Sequence, residues 1–207
     1  RGANLQNTTF DYATLDHADL RSIVAFNATF IHTGMNKTYL QNAEFNRYDN
    51  NECNGYCGPA NLTHANLEHA HIFGVDFSFV NMSNIKLKFA FITDTNFYAT
   101  NMTNADLSYT DSTDALFNGA VLINAYLYFA DLTDADLRFT DLTDADLAYA
   151  ELPNADLRYA DLTDANLNRA DLTDANLYNA DLTRAELRYA DLTNAYLEDA
   201  DLTDADL

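Results

Sequence analysis

The chain is poor in basic residues: 11 Lys and Arg stand against 32 Asp and Glu, a formal charge of −21 over 207 residues. That excludes a protein that binds nucleic acid by neutralising phosphates, and equally a polybasic membrane-surface protein. Glycine is scarce at six, proline at two, and tryptophan is absent. No Gly-rich phosphate loop, Gly-x-Ser-x-Gly or His-Glu-x-x-His occurs, so the usual signatures of nucleotide binding, acyl hydrolysis and zinc proteolysis are missing. No apolar run approaches the roughly 18 residues of a membrane span. Cys53 and Cys57 are the only cysteines, and with no second pair they cannot make a four-ligand zinc site. Arg1 replaces the usual Met and no charged-then-apolar leader follows, which reads as a processed or trimmed product. What the chain does have is 48% hydrophobic residues, too many for a disordered acidic tail.

Those hydrophobic residues recur every fifth position. From Leu62 to Leu207 there are 30 such positions: 22 Leu, three Phe, two Ile, two Met and the exception Ser112. Two residues before each runs a second series, Ala60 to Ala205, in which 23 of 30 are Ala. A period of five matches neither a helix at about 3.6 nor an alternating strand at 2. A small and a large apolar residue two apart point to one side of an extended segment. The chain must then turn before the next pair, which describes a solenoid with one short side per repeat. Before Leu62 the same rule holds in another register, through Leu5, Phe10, Leu15, Leu20, Phe30, Met35, Leu40 and Phe45, with Ala25 weakening it. Between lies an irregular stretch with turn residues Gly55, Gly58 and Pro59. The division read from this is 1–45, first register; 46–59, a loop excursion carrying Cys53 and Cys57; and 60–207, second register. Phe45 to Leu62 counts as three repeats plus two extra positions, and the chain less those two would make forty-one whole repeats.

The triplet Ala-Asp-Leu stands at Ala105-Asp106-Leu107, Ala135-Asp136-Leu137, Ala145-Asp146-Leu147 and many later places. The chain resembles the pentapeptide-repeat family, motif A-[D/N]-L-x-x, over nearly its whole length. The resemblance implies an all-β fold, a right-handed quadrilateral β-helix with four pentapeptides per coil. The small and large apolar residues point inward and the other three outward. About ten coils stacked about 4.8 Å apart would make a rod roughly 50 Å long. Its core is filled by side chains and leaves no room for a cofactor or a buried active site.

With four pentapeptides per coil, every fourth repeat returns to the same face, so positions i and i+20 lie above one another. Asp114, Asp134, Asn154, Asp174 and Asn194 then form one column, and Asn104, Asn124, Asp144, Asp164, Arg184 and Asp204 the opposite one. Phe89, Tyr109, Phe129, Tyr149, Arg169 and Tyr189 form an aromatic column, faced by Phe139 and Tyr159. Residues 1–105 carry nine acids and six bases; residues 106–207 carry 23 and five, and are close to a consensus repeat. All five histidines fall in the first part, which is therefore the expected place for a specific recognition surface.

Candidate chemistry is thin. His64, His69 and His71 are the strongest metal cluster on spacing, but a five-residue step sets His64 and His69 on adjacent faces, against a site that needs converging ligands. No metal and no cofactor is expected beyond weak divalent cations on the Asp columns. Carboxylates about 5 Å apart in water repel by roughly 1 kcal/mol, which cations relieve. Cys53 and Cys57 read as a small-loop disulfide, pointing to an oxidising compartment; the alternative is free thiols in a cytoplasmic protein. Six sequons, at Asn7, Asn27, Asn36, Asn61, Asn81 and Asn101, are candidate N-glycosylation sites. A repeat rich in Asn-Leu-Thr also generates them automatically, and stacked glycans would crowd.

Two function classes follow. The first is a non-catalytic structural or interaction solenoid, outside the cytoplasm, with a protein partner or with end-to-end stacking into a filament. That stacking is suggested by Ala205 and Leu207 being in phase with Ala3 and Leu5 of a second copy. The second comes from the resemblance, since some members bind type II topoisomerases such as gyrase as acidic DNA mimics. Direct nucleic-acid binding, a membrane span and enzymatic activity find no support.

Overall fold

The computed structural model describes residues 1–45 and 59–207. Contacts between coils are isolated parallel bridges, and almost all join positions i and i+20, as in Asn61↔Asn81↔Asn101. A coil is therefore four pentapeptides. Each pentapeptide supplies one bridging residue, because a turn at every repeat leaves no room for a longer strand. Face 1 has as its large inward residues Phe10, Phe30, Leu62 and Met82 onward; face 2 Leu15, Met35, Leu67 and Leu87 onward. Face 3 has Leu20, Leu40, Ile72 and Ile92 onward, and face 4 Leu5, Ala25, Phe45 and Phe77 onward.

One repeat shows how the backbone is satisfied. Leu62 and His64 donate their N–H groups to the carbonyls of Asn81 and Ser83 in the next coil, at 2.8 and 3.0 Å. Asn66 donates to Thr33 of the preceding coil at 2.9 Å, and Ala65 closes a turn onto the Leu62 carbonyl at 3.0 Å. The N–H of Thr63 is left over, and the Asn61 side-chain oxygen accepts it at 3.0 Å. The same Asx turn recurs at Asp76, Asp131, Asp171 and Asp201. This is the physical reason for Asp or Asn between the Ala and the Leu: a short side-chain acceptor two residues back pairs the one backbone donor that coil stacking omits.

The turn explains the last position of the repeat. Its residue sits in the left-handed region at every described corner, with φ from 52° to 66°, while the residue before it does not, which defines a type II turn. Only Gly2, Gly74 and Gly119 are glycines there. Asn and Asp tolerate this region; an aromatic or Arg there costs about 1–2 kcal/mol, offset by the coil bonds on both sides.

The core runs through the stack as Ala opposite Leu or Phe, nearly all below 2% exposed. On face 4, Phe45, Phe77, Phe97 and Phe117 stack in file, with centroids 4.8 to 5.6 Å apart. The weak position Ala25 is compensated by its small-series partner, which is Ile23, so the pair has exchanged sizes and both are buried. Ser112 is fully buried and satisfied, its hydroxyl 2.9 Å from that of Thr110, which donates to the Leu107 carbonyl. The first and last coils are only half covered, at Leu5, Phe10, Leu15 and Leu20 and at Leu192, Leu197 and Leu202.

One expectation is corrected. Four bridges join the two registers: Thr29↔Asn61, Gly34↔Asn66, Tyr39↔His71 and Glu44↔Asp76. Their partners stand thirty-two positions apart, against twenty for all the other bridges, so twelve positions are skipped at the join. Ala60 donates to the Phe45 carbonyl at 3.0 Å, the turn bond that an uninterrupted array makes three positions on. Phe45 and Leu62 are thus consecutive inward residues, not three repeats apart. With the skipped stretch set aside, the chain holds thirty-nine pentapeptides rather than forty-one.

Candidate functional site

With the core filled, chemistry is confined to the outward columns, and the stacking places each of them. Phe89, Tyr109, Phe129 and Tyr149 form the face 2 corner column read from the sequence, in parallel stacks with centroids 4.8 to 5.3 Å apart. His69 extends it at one end, 5.0 Å from Phe89. Arg169 continues it at the other, its guanidinium 5.6 Å from the Tyr149 ring and 5.0 Å from Tyr189. Phe139 and Tyr159 stack at 4.9 Å on the face 4 corner.

The acidic columns have a structural origin. Of the 23 acids after residue 105, 15 stand between the small and large apolar residues, where Asx turns form. Seven more stand at the left-handed corner. Most of the charge therefore sits where the backbone itself favours a short acceptor. Thr193 and Thr203 donate both hydroxyl and N–H to Asp191 and Asp201, holding these carboxyls below the usual range. On face 4, burial pushes Asp136 up, but the Arg138 guanidinium more than reverses this with bonds of 2.8 and 2.6 Å. Arg138 also approaches Asp156 at 3.6 Å, and Arg158 binds Asp156, giving a ladder of alternating charge. Arg184 depresses Asp164 on face 1 by the same pairing.

The histidines separate into two groups. His64 lies on the face 1 corner, stacked 4.5 Å from His32, which stacks in turn on Tyr12. His69 and His71 lie elsewhere, on either side of the step from face 2 to face 3, in a cleft of about 310 Å³ lined by His17, Lys37, Tyr39, His69, His71 and Phe91. Among the described residues no three His, Asp, Glu or Cys side chains converge on one centre. The sequence alone did not bring Tyr39 and His71 together, because they align only once the offset between the registers is known. The phase of the repeat fixes that offset only to within a multiple of five, and the stacking of the coils chooses among the values it allows.

The sequon asparagines scatter. Asn61, Asn81 and Asn101 form the face 1 bridge column, and each turns its side-chain oxygen to the N–H of its own Thr or Ser. Asn is accounted for there by the repeat. Asn7 and Asn27 are face 4 corners joined side chain to side chain at 2.7 Å, and the Asn36 N–H donates to Asp16 at 2.9 Å. Cys53 and Cys57 lie outside the described residues. No helix among the described residues is long and apolar enough to cross a membrane.

Comparison with known proteins agrees with this geometry. The family profile of pentapeptide repeats matches in eight copies covering residues 1–23 and 60–207. The chain belongs to the pentapeptide-repeat family. No curated protein matches it significantly. Among solved structures it is similar to HetL, involved in heterocyst differentiation regulation in the cyanobacterium Nostoc sp. strain PCC 7120. The two are 27% identical over 98% of this chain and 90% of HetL, with a TM-score of 0.36. A pentapeptide repeat protein of the Arabidopsis thaliana thylakoid lumen is 32% identical over 45% of this chain and 65% of its own, with a TM-score of 0.44. Full-length QnrB1, a plasmid-mediated fluoroquinolone resistance protein, is 15% identical over 91% of this chain and 92% of its own, with a TM-score of 0.41. These superpositions are loose, and family membership rests on the repeats.

Proposed function

We propose that this protein is a non-catalytic solenoid that presents ordered columns of side chains to a protein partner, its coils winding right-handed about a four-sided section as the family resemblance implies. The observation that carries the reading is the core. Among the described residues from Phe30 to Leu187 the inward positions are buried and filled, so specificity there has only the outer surface on which to reside. That surface is built for contact: Phe89, Tyr109, Phe129, Phe139 and Tyr159 are each 41% to 58% exposed, and exposed aromatics dominate binding energy at protein interfaces. A photo-crosslinker placed at Tyr109 and, in a second variant, at Asp174 tests it in the source cells. A defined adduct from one edge and not the other supports the reading; identical smears from both overturn it.

A second reading, an acidic mimic of DNA that occupies a type II topoisomerase, draws on the one-coil spacing of Asp131, Glu151, Asp171 and Asp191. The part that Asp131, Asp171 and Asp191 take in the backbone bonding weakens it, since the repeat accounts for these acids without a DNA-binding partner. Inhibition of gyrase supercoiling at stoichiometric protein, lost as salt rises, would favour the mimic. No effect in large excess at low salt would remove it.

The compartment we propose is an oxidising one, with residues 46–59 as an excursion closed by a Cys53–Cys57 disulfide. Intact mass two hydrogens below the reduced value, with no alkylation before reductant, is the expected result. Ready labelling of both thiols would remove the main argument for an oxidising compartment.

A further inference from the structure

The cleft between faces 2 and 3 stands apart from the rest of the surface. In a chain with 32 acids its lining contains none: three imidazoles, one ammonium and two aromatic rings. The three lysines of the protein, Lys37, Lys86 and Lys88, all lie on face 2 or its corner. Lys37 makes no ion pair among the described residues, unlike Arg21, Arg138, Arg158, Arg184 and Arg188. The acids beside it on face 2, Asp16 and Glu68, do not line the cleft, and Asp16 is engaged by the Asn36 N–H.

The rings add to this. Tyr39, His71 and Phe91 form a continuous stack, with centroids 5.1 and 5.0 Å apart and planes within 9°. Arg21 lies over Tyr39 at 5.7 Å and closes the stack at that end. The faces of Tyr39 and His71 are thus covered, and only ring edges remain for a ligand. An aromatic edge carries the positive end of the ring quadrupole, so these edges favour an anion where the faces would favour a cation. The walls are also fixed in advance. Tyr39, His71 and Phe91 donate their N–H groups to Ala18, Thr38 and Ala70 at 3.1, 2.9 and 2.9 Å, each bond holding one coil to the next. Walls held in place avoid part of the ordering cost that weakens flexible sites.

We propose that this cleft is a binding site for an anionic group, a carboxylate or a phosphate, held by Lys37 with His17, His69 and His71 and bordered by the edges of Tyr39 and Phe91. Such a group can belong to a free small molecule or to an acidic side chain of a protein, and the two are separable. The site does not depend on the scaffold reading, because a free anion would fill it without any partner.

The histidines supply an internal control. Three line the cleft, while His32 and His64 stack on a different edge. Ring resonances of all five would be followed by NMR during titration with inorganic phosphate, phenyl phosphate and a short Glu-rich peptide. The expected result is saturable movement of His17, His69 and His71 with one shared affinity, and none of His32 and His64. A tighter fit for phenyl phosphate assigns a small-molecule ligand; a tighter fit for the peptide assigns a protein side chain. Lys37→Glu should weaken binding about tenfold or more, as loss and reversal of a contacting charge does. Lys88→Glu, on the same face but outside the lining, should change it less than twofold. Uniform, unsaturable movement of all five rings, or equal effects of the two lysine variants, would overturn the site.

Discussion

Residues 1–105 and 106–207 build the same coil by different means. In the later part the repeat rule is written out at almost every position. Ala and Leu point inward, an Asx turn caps the spare N–H, and acids hold most of the positions between the apolar pair and seven of the corners. In the earlier part the rule is often broken, and two of the breaks are repaired by a neighbouring coil. Thr29 and Gly34 stand where an Asx residue is expected, and Asp11 and Asp16 of the preceding coil cap the Ile31 and Asn36 N–H groups instead, both at 2.9 Å. The later part uses this device at Arg188, which Asn168 caps at 2.9 Å in place of the Glu186 that precedes it. What the coil requires is therefore a satisfied donor and a filled volume, not particular residues at particular places. The regular half meets both requirements locally and so becomes uniform and acidic. The irregular half uses the same local cap at Asn61, Asn66, Asp76 and Asn81, adds caps across coils at Ile31 and Asn36, and carries His and Lys among its outward side chains.

The comparison can be broken most severely in the shared core. Leu152→Asp and Met35→Asp each bury an unpaired charge and should cost several kcal/mol in either half. Tyr159→Ala, about half exposed at 47%, should cost far less. Equal shifts in the thermal midpoint for Leu152→Asp and Tyr159→Ala, read by circular dichroism, would mean that the inward register is misassigned.

A smaller effect separates local from exchanged packing. Ile23→Ala empties the volume that compensates for Ala25 and should cost about 2–4 kcal/mol. Ile23→Ala combined with Ala25→Leu restores the ordinary small–large order and should recover most of the loss. Chemical denaturation of both variants checks this; no recovery would show that the two sites do not share one volume.

Smaller still is the capping relay. A Cβ on Gly34 would lie 3.0 Å from the Asp16 carboxylate oxygen that caps Asn36. Gly34→Ala should therefore destabilise by about 1 kcal/mol, the scale of a lost cap. In an Asp16→Ala background the same change should be nearly silent. Additive effects in the double-mutant cycle would deny the coupling.

The smallest prediction concerns acid. Arg138 depresses Asp136, so this pairing stabilises the fold above the unfolded carboxylate value near 3.8 and is lost as pH falls below it. Asp136→Asn keeps the Asx acceptor and removes only the charge. It should lower stability at pH 7 by a few tenths of a kcal/mol, as partly exposed pairs do, with the gap closing below about pH 4. A gap that widens in acid would reverse the sign assigned to the pair.

Much of this was legible in the residues alone. The inward series was readable because Leu, Phe and Ala recur with a period that no helix or flat strand shares. The column assignments followed once the family resemblance supplied four repeats per coil, and the stacking of Phe89, Tyr109, Phe129 and Tyr149 agrees with them. The function of Asp between Ala and Leu was not legible, since composition cannot show which N–H the coil leaves unpaired. The size exchange at Ile23 and Ala25 was missed because each position was read separately.

The sequence by itself determined the period, the inward and outward sets and the concentration of acid after residue 105, because these depend only on neighbours close along the chain. The tertiary structure alone decided how the two registers join. The offset between them is a fact about which coil meets which, and it sets Tyr39 on His71 and so completes the stack that ends at Phe91. From that join come the stack, the cleft and the clustering of His17, Lys37, His69 and His71, groups drawn from three coils and brought together by backbone bonds between residues far apart in the chain.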